Sequence, residues 1–210
     1  MGNHLANAAL RPEPSRVGVD RHAEVLRKAL ELFSQRGFAQ VSMRELGASL
    51  GIRAGSLYHH IDSKDALLHE LLEDLYCELL ALAANVQRRI AEPSLRLHAL
   101  VEAHLELHSC MAGQFQLAEH DVAYLSDNHR SAILALRQRY EAHYLMWLDH
   151  IGHPLDNREL RSVVRGLVSI LNQLPLKLLT PQSTTKARTV LLRNMALGAL
   201  YGAVGTRKNS

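Results

Sequence analysis

Thirteen of the 210 residues are histidine, and eight of these fall between His98 and His153. His104 and His108 are four apart, which puts two imidazoles on one helical face, a spacing that zinc sites use. The run is His-Leu-Glu-Leu-His, so Glu106 points to another face, unlike the base in the His-Glu-x-x-His of metalloproteases. No cysteine stands beside the pair, and a third ligand would have to come from elsewhere, such as Glu119, His120 or His143. The first reading is therefore of histidines hydrogen-bonding in a polar-lined cavity, with no metal and no cofactor; a metal-responsive site is the rival. No nucleophile elbow, Gly-rich phosphate loop or well-spaced carboxylate pair is present, so no enzymatic activity is expected.

The same region carries polar groups on otherwise apolar helical stripes: His104, His108, Gln116, Tyr140, His143, Tyr144, Asn172 and Gln173, with Trp147 beside them. Buried polar groups need partners. Mutual hydrogen bonds, ordered water and a bound small molecule all satisfy that need. Ligand pockets are mostly apolar with a few placed polar groups, which suits this lining.

A second set of residues suits duplex DNA. Arg53, Ser56, Tyr58 and His59 project from a short segment whose Leu57 and Ile61 take the buried side, with Ser42, Arg44 and Lys64 nearby. Arg53 can read guanine in bidentate fashion or bind phosphate, and both roles stay open. Gly55 permits close approach of the backbone to DNA.

The elements that position these groups are legible. Ser42 caps a helix and Glu45 caps back, a capping box. Met43, Leu46 and Leu50 then share one face. Gly51 ends that helix, because a residue with φ > 0 is least strained as glycine. A second helix follows from about Ala54 to His60. Two short helices joined by such a turn make a helix-turn-helix, whose second helix enters the major groove. Upstream, a helix from about Asp20 to Arg36 carries Val25, Ala29, Leu32 and Phe33 and stops at Gly37. Three helices form too small a core to stand alone, so the head should pack on the next helix.

These residues resemble the DNA-binding region of the tetracycline-repressor (TetR) family of bacterial transcription regulators. The family's pieces stand here as Gly51, Gly55-Ser56-Leu57-Tyr58, and Ser63-Lys64-Asp65 followed by Leu67-Leu68, with Ala29, Phe33 and Gly37-Phe38 upstream. Residues 20 to 72 are covered. Two positions depart. Gly47 replaces the usual Ala, which costs about 1 kcal/mol of helix propensity and should soften that helix. Arg53 replaces a Ser or Thr, putting a cation where a capping hydroxyl is usual. The resemblance implies that Tyr58 and Lys64 contact backbone phosphate, and that the last two helices form a homodimer on a pseudo-palindromic operator. It also implies a C-terminal domain whose small-molecule effector shifts the two heads apart. Glu119 to Trp147 is similar to regulators of this type that answer to acyl thioesters. The reading is a DNA-binding transcriptional regulator, a repressor released by a small hydrophobic or amphipathic effector. The alternatives are a metal-responsive regulator using His104 and His108, and a helical enzyme or carrier retaining a helix-turn-helix.

Composition sets wider bounds. The formal net charge is +3 and the pI about 9.0, and residues 1–65 hold nine Lys/Arg against seven Asp/Glu. A balance this mild supports phosphate contact only if it sits on one face. No run of eighteen apolar residues is present to span a membrane. The N-terminal stretch lacks the charged start and apolar core of a secretion signal. The only cysteines, Cys77 and Cys110, read as buried hydrophobes in a reducing cytoplasm.

The chain reads as all-α with about nine helices in three parts: a flexible tail over 1–19, a three-helix head over 20–66, and a ligand-binding and dimerisation domain over 67–210. The tail reads first as an idle solvated segment, with Arg11 and Arg16 reaching a minor groove as the alternative. A fourth helix of about thirty residues, roughly 45 Å long, starts at Asp62 or Ser63 with Asp62 and Asp65 as capping partners. It runs to Ala91, with Leu67, Leu71, Leu75, Leu79 and Leu82 as its stripe, and stops before Pro93. A fifth ends near Gly113, a sixth spans Phe115 to Leu125, and a seventh, capped by Ser126-Asp127, reaches Ile151. Gly152-His153-Pro154 breaks the chain. An eighth runs from about Asp156 to Leu174, where Pro175 ends it. Its Leu160, Val164, Leu167, Leu171 and Leu174 form a narrow seam suited to another helix. In the ninth, Thr184 to Val204, the stripe Leu191, Met195, Gly198 and Gly202 lets another backbone approach closely.

Overall fold

A computed structural model of the chain describes residues 16–153, 155–178 and 185–205. The helices are α1 (Arg16–Arg36), α2 (Met43–Ser49), α3 (Ala54–Leu57), α4 (Lys64–Arg89), α5 (Pro93–Cys110), α6 (Ala112–His120), α7 (Asp127–Ile151), α8 (Asn157–Leu178) and α9 (Thr185–Gly205). Short 3-10 turns cover Phe38–Gln40 and Val122–Tyr124. Among the described residues there is no strand. The expected tail lies mostly outside the described residues, although α1 already begins at Arg16.

The helix-turn-helix forms as its local signals dictate. Ser42 Oγ accepts the Glu45 N–H at 3.2 Å and the Glu45 carboxylate accepts the Ser42 N–H at 2.8 Å. With Arg36 also donating to it, the Ser42 bonds hold the Glu45 carboxyl down at about 2. Gly51 has φ +69°, the left-handed conformation that ends α2. Gly47 plays a different part from the soft spot expected of it. A Cβ there would lie 2.9 Å from the Ile52 carbonyl oxygen and 3.2 Å from the Ala54 nitrogen. The missing side chain is what lets the turn close on α2. Gly47→Leu is expected to lower stability by about 2 kcal/mol through overpacking, and thermal unfolding checks it.

α3 is shorter than expected. It ends at Leu57, and Tyr58 to His60 form a turn in which the His60 and Ile61 N–H groups both return to the Leu57 carbonyl. One turn cannot sustain itself. It is held by Leu57, fully buried, and Ile61, which join Val25, Ala29, Phe33, Leu46, Leu67 and Leu68 in a core continuous with that of the body.

The cap of α4 is Ser63, whose Oγ accepts the Ala66 N–H at 2.9 Å, rather than Asp62 with Asp65. Asp65 reaches out of the head instead. Its carboxylate accepts the Ser126 N–H at 2.8 Å, the Ser126 hydroxyl at 3.0 Å and His129 Nδ1, tying the start of α4 to the start of α7. Ser126 therefore does not cap α7 with its own side chain. α6 starts at Ala112, so Gly113 lies inside it. A Cβ on Gly113 would stand 3.0 Å from Leu30, the mark of α6 packed tightly on α1.

α8 passes through Pro175 to Leu178 instead of ending there. Its seam of Leu160, Val164, Leu167 and Leu171 is buried within this chain, not left for a partner; the Leu174 side chain lies outside the described residues. The open face is on α9, where Leu191 and Met195 are 57% and 44% exposed and Gly198 and Gly202 have open space before them. Cys77 and Cys110 are both exposed, contrary to the buried places expected. They fall on the outward positions of α4 and the last residue of α5.

Candidate nucleic-acid interface and buried polar core

Arg53 precedes the first turn of α3 in an extended conformation and makes no capping bond. It, Gly55, Ser56, Tyr58 and His59 are all exposed, Tyr58 at 54%, while Leu57 between them is fully buried. One buried leucine thus turns the other side chains outward together. Ser42 and Arg44 are exposed on the neighbouring α2, with the Ser42 hydroxyl engaged in its cap. Lys64 sits differently from the rest. Its ammonium donates to the Phe38 carbonyl and lies 4.0 Å over the Phe38 ring. Burial there pushes its pKa down. Without DNA, Lys64 fastens α4 to the loop after α1 rather than facing a phosphate.

Most of the polar groups expected in the body do meet, where α5, α6, α7 and α8 converge. The Tyr144 hydroxyl lies 3.1 Å from that of Tyr140, which lies 3.0 Å from His104 Nδ1. Every hydroxyl proton finds an acceptor if Tyr144 donates to Tyr140 and Tyr140 to His104, leaving the histidine proton on Nε2. His108 Nε2 donates to the Asn172 carbonyl at 2.9 Å. Phe115 stacks on His108 at 4.6 Å and stands 5.0 Å from His104. The Asn172 amide donates to Glu119, as does Gln173 at 3.1 Å.

Burial dominates the electrostatics. It presses His104 down to about 3, with His108 adding repulsion and the Asn172 side chain offsetting part of the drop. His108 is also lowered by burial, and Tyr140 and Tyr144 are raised by it. The two histidines and two tyrosines are uncharged at neutral pH, and the Glu119 carboxylate lies at the edge of their cluster. Stability is therefore expected to fall with acid: below the unfolded value of 6.5 the unfolded chain binds a proton that folded His104 refuses. The loss from His104 alone is on the order of 3 kcal/mol between pH 6.5 and 4, and urea unfolding across that range should show a shallower slope for His104→Gln.

Among the described residues six buried side-chain polar atoms make no hydrogen bond, and four of them are His104 Nε2, Asn172 Oδ1, Trp147 Nε1 and His143 Nδ1. Trp147, fully buried, lies 5.7 Å from His143 and beneath the Arg96 guanidinium at 5.8 Å. Gln116 does not join the core. Its amide donates to the Ser34 carbonyl of α1 at 2.8 Å, a link between body and head. Among the described residues no three His, Cys, Asp or Glu are placed to hold a metal.

Sequence reasoning passed over Arg137 and Glu141. The Arg137 guanidinium lies 3.0 Å from Glu141, 3.8 Å from Glu119 and 3.1 Å from the Ser169 hydroxyl, and the two carboxylate side chains are 10% and 8% exposed. An Arg and Glu four apart read as a solvated pair. The missed signal was phase: Arg137 falls between Ile133 and Tyr140 at spacings of four and three, on the buried stripe of α7.

Known proteins share this arrangement. The sequence profile of bacterial regulatory proteins of the tetR family matches residues 25–71. The HTH-type transcriptional repressor KstR2 of Mycobacterium tuberculosis is 27% identical over 136 residues, 65% of this chain and 67% of that protein. A TetR-family transcriptional regulator from Bordetella parapertussis superposes with a TM-score of 0.75 over 88% of this chain and 94% of its own, at 16% identity. AibR, solved with isovaleryl coenzyme A and operator DNA, superposes at 0.70 over 83% of this chain and 97% of its own, at 22% identity. The profile falls on the capped, glycine-ended helices that turn Arg53, Ser56, Tyr58 and His59 outward, and the fold continues through the body: residues 25–71 are a DNA-binding head of the TetR family, and the chain as a whole has the fold of that family's solved regulators.

Proposed function

We propose that this protein is a homodimeric transcriptional repressor that leaves its operator when a small hydrophobic or amphipathic molecule enters the body. The observation that carries the DNA side is the outward cluster of Arg53, Ser56, Tyr58 and His59 around Gly55 and buried Leu57. Arg44 flanks it as a phosphate contact, and Ser42 and Lys64 hold the frame. Two copies paired through the open stripe of α9 would set their α3 segments about 34 Å apart, one turn of DNA. Selection from random duplex DNA should return a pseudo-palindrome with that half-site spacing. Recovery of no preferred sequence would favour a helical enzyme or carrier instead.

The effector side rests on His104 Nε2 and Asn172 Oδ1, neighbouring buried polar atoms that form no hydrogen bond of good geometry, within a ring-lined core bordered by the Glu119 carboxylate. A ligand carbonyl accepts from the first and a ligand hydroxyl or amide donates to the second. α6 connects this core to the head: Phe115 and Glu119 face inward, while Gly113 and Gln116 bind α1. A molecule that displaces α6 must then favour the arrangement that does not fit DNA. AibR was solved with an acyl thioester, so the first panel is acyl-coenzyme A esters of graded length. One member should release the selected duplex, and Tyr140→Phe should weaken that release about tenfold, the worth of one hydrogen bond in a desolvated site. Zinc should leave duplex affinity unchanged in the wild type, and a response lost in a His104→Ala, His108→Ala variant would restore the metal reading. No described helix is long and apolar enough to cross a membrane, and the setting proposed is the cytoplasm, where the operator is.

A further inference from the structure

His22 on α1 lies just before the segment matched by the family profile, at a junction of three segments. Its Nδ1 is 3.0 Å from the His60 carbonyl, at the end of the recognition turn. Its Nε2 is 2.7 Å and 3.0 Å from the two carboxylate oxygens of Glu70 on α4. A carbonyl has no proton to give, and neither has an ionised carboxylate. Both ring nitrogens must donate, and only the imidazolium carries two N–H groups. A neutral ring keeps one of the two links and sets a lone pair against an oxygen at the other.

We propose that protonated His22 is a positioning residue for DNA recognition, which clamps the end of the recognition turn to α4 and makes operator affinity depend on pH. The inference rests on the docking of α3 proposed above. The charged and titratable groups around the ring are Glu70 from α4 and His60 and Asp62 from the turn, which together line the small groove there. On α1 itself, neighbouring Arg21 is paired with Glu24 at 2.7 Å. Asp62 and Glu70 favour the imidazolium, and a protonated His60 opposes it. The Glu70 bond raises the His22 pKa, burial works against it, and the His60 carbonyl adds to the rise. The sign follows. The clamp is complete below the unfolded value of 6.5 and is lost as pH climbs through the raised folded value.

The full chain and the variants His22→Gln and Glu70→Gln test this with two readouts. The first needs no DNA: amide exchange at His60 and Ile61 between pH 5.5 and 8.5, beside a nuclear magnetic resonance titration of the His22 ring. The second is affinity for the duplex selected at pH 6, at constant ionic strength. Wild-type affinity should fall about tenfold from pH 6 to pH 8, the worth of one charge-assisted hydrogen bond. Both variants should bind about tenfold more weakly at pH 6 and show a flatter profile. Exposed His59 is present in all three proteins, so the difference between profiles reports His22. The salt slope should stay unchanged, whereas a cation touching phosphate would alter it by about one. Parallel pH profiles, or equal exchange at His60 and Ile61 in wild type and His22→Gln, overturn the proposal. If no duplex is selected the docking fails, and the exchange still decides the clamp. If His22→Gln does not fold, Glu70→Gln carries both readouts.

Discussion

Gly55→Leu is expected to reduce operator affinity more than a hundredfold while the head stays folded. Gly55 is exposed, and a Cβ built there meets nothing within 4 Å. The leucine side chain therefore has room in the free protein, and leucine is the better helix former by nearly 1 kcal/mol. Folding gains slightly. On DNA the same side chain fills the gap through which the backbone of α3 approaches the groove. Arg53, Ser56 and Tyr58 are then held away from base edges and phosphates, and affinity drops towards the non-specific level, commonly a thousandfold or more below specific binding. Circular dichroism with a melting curve, set beside binding to the selected duplex, makes the comparison. A variant that still binds its operator tightly would mean that another face of the head meets DNA.

Arg137→Leu should destabilise the protein by about 3 kcal/mol. The guanidinium is the shared partner of Glu119 and Glu141, and both carboxylates are almost wholly buried. Removing one member of a buried charge pair leaves the other unpaired, which costs about 3–5 kcal/mol. The lower end applies because the Arg137 side chain keeps 19% exposure. Tyr76 feels the loss too, since burial holds it up at about 12 and Arg137 is the charge that counters that rise. For a chain of this size the midpoint of thermal unfolding should fall by roughly 6–12 °C. Adding Glu119→Gln and Glu141→Gln should recover more than half of the loss, because the unpaired charges are then gone. No recovery would mean that Arg137 acts through packing of its stem.

What was legible in the chain was what neighbouring residues decide. The Ser42–Glu45 capping box, the left-handed Gly51 and the buried phase of Leu57 are local, and they formed as read. The buried polar core was legible as well, because His104, His108, Tyr140 and Tyr144 repeat at helical spacing. What failed was decided at long range. Asp65 suits a cap in the sequence, yet its carboxylate is taken by Ser126 and His129, sixty-one and sixty-four positions away. Lys64 looks free for phosphate until the Phe38 ring and carbonyl arrive beside it. The seam of α8 has the period of a helix-pairing face, and the period is silent on whose helix fills it. Gln116 repeats in phase with the core and still turns to Ser34, because α6 lies between two neighbours and serves both.

The two exposed thiols open a direct route to motion. Cys77 lies midway along α4, the rod joining head to body, and Cys110 closes α5. With Cys110 changed to serine, one maleimide dye per subunit would sit on each rod. In the proposed homodimer, energy transfer between the two dyes would then report any change in the spread of the heads in real time, with the protein free in solution.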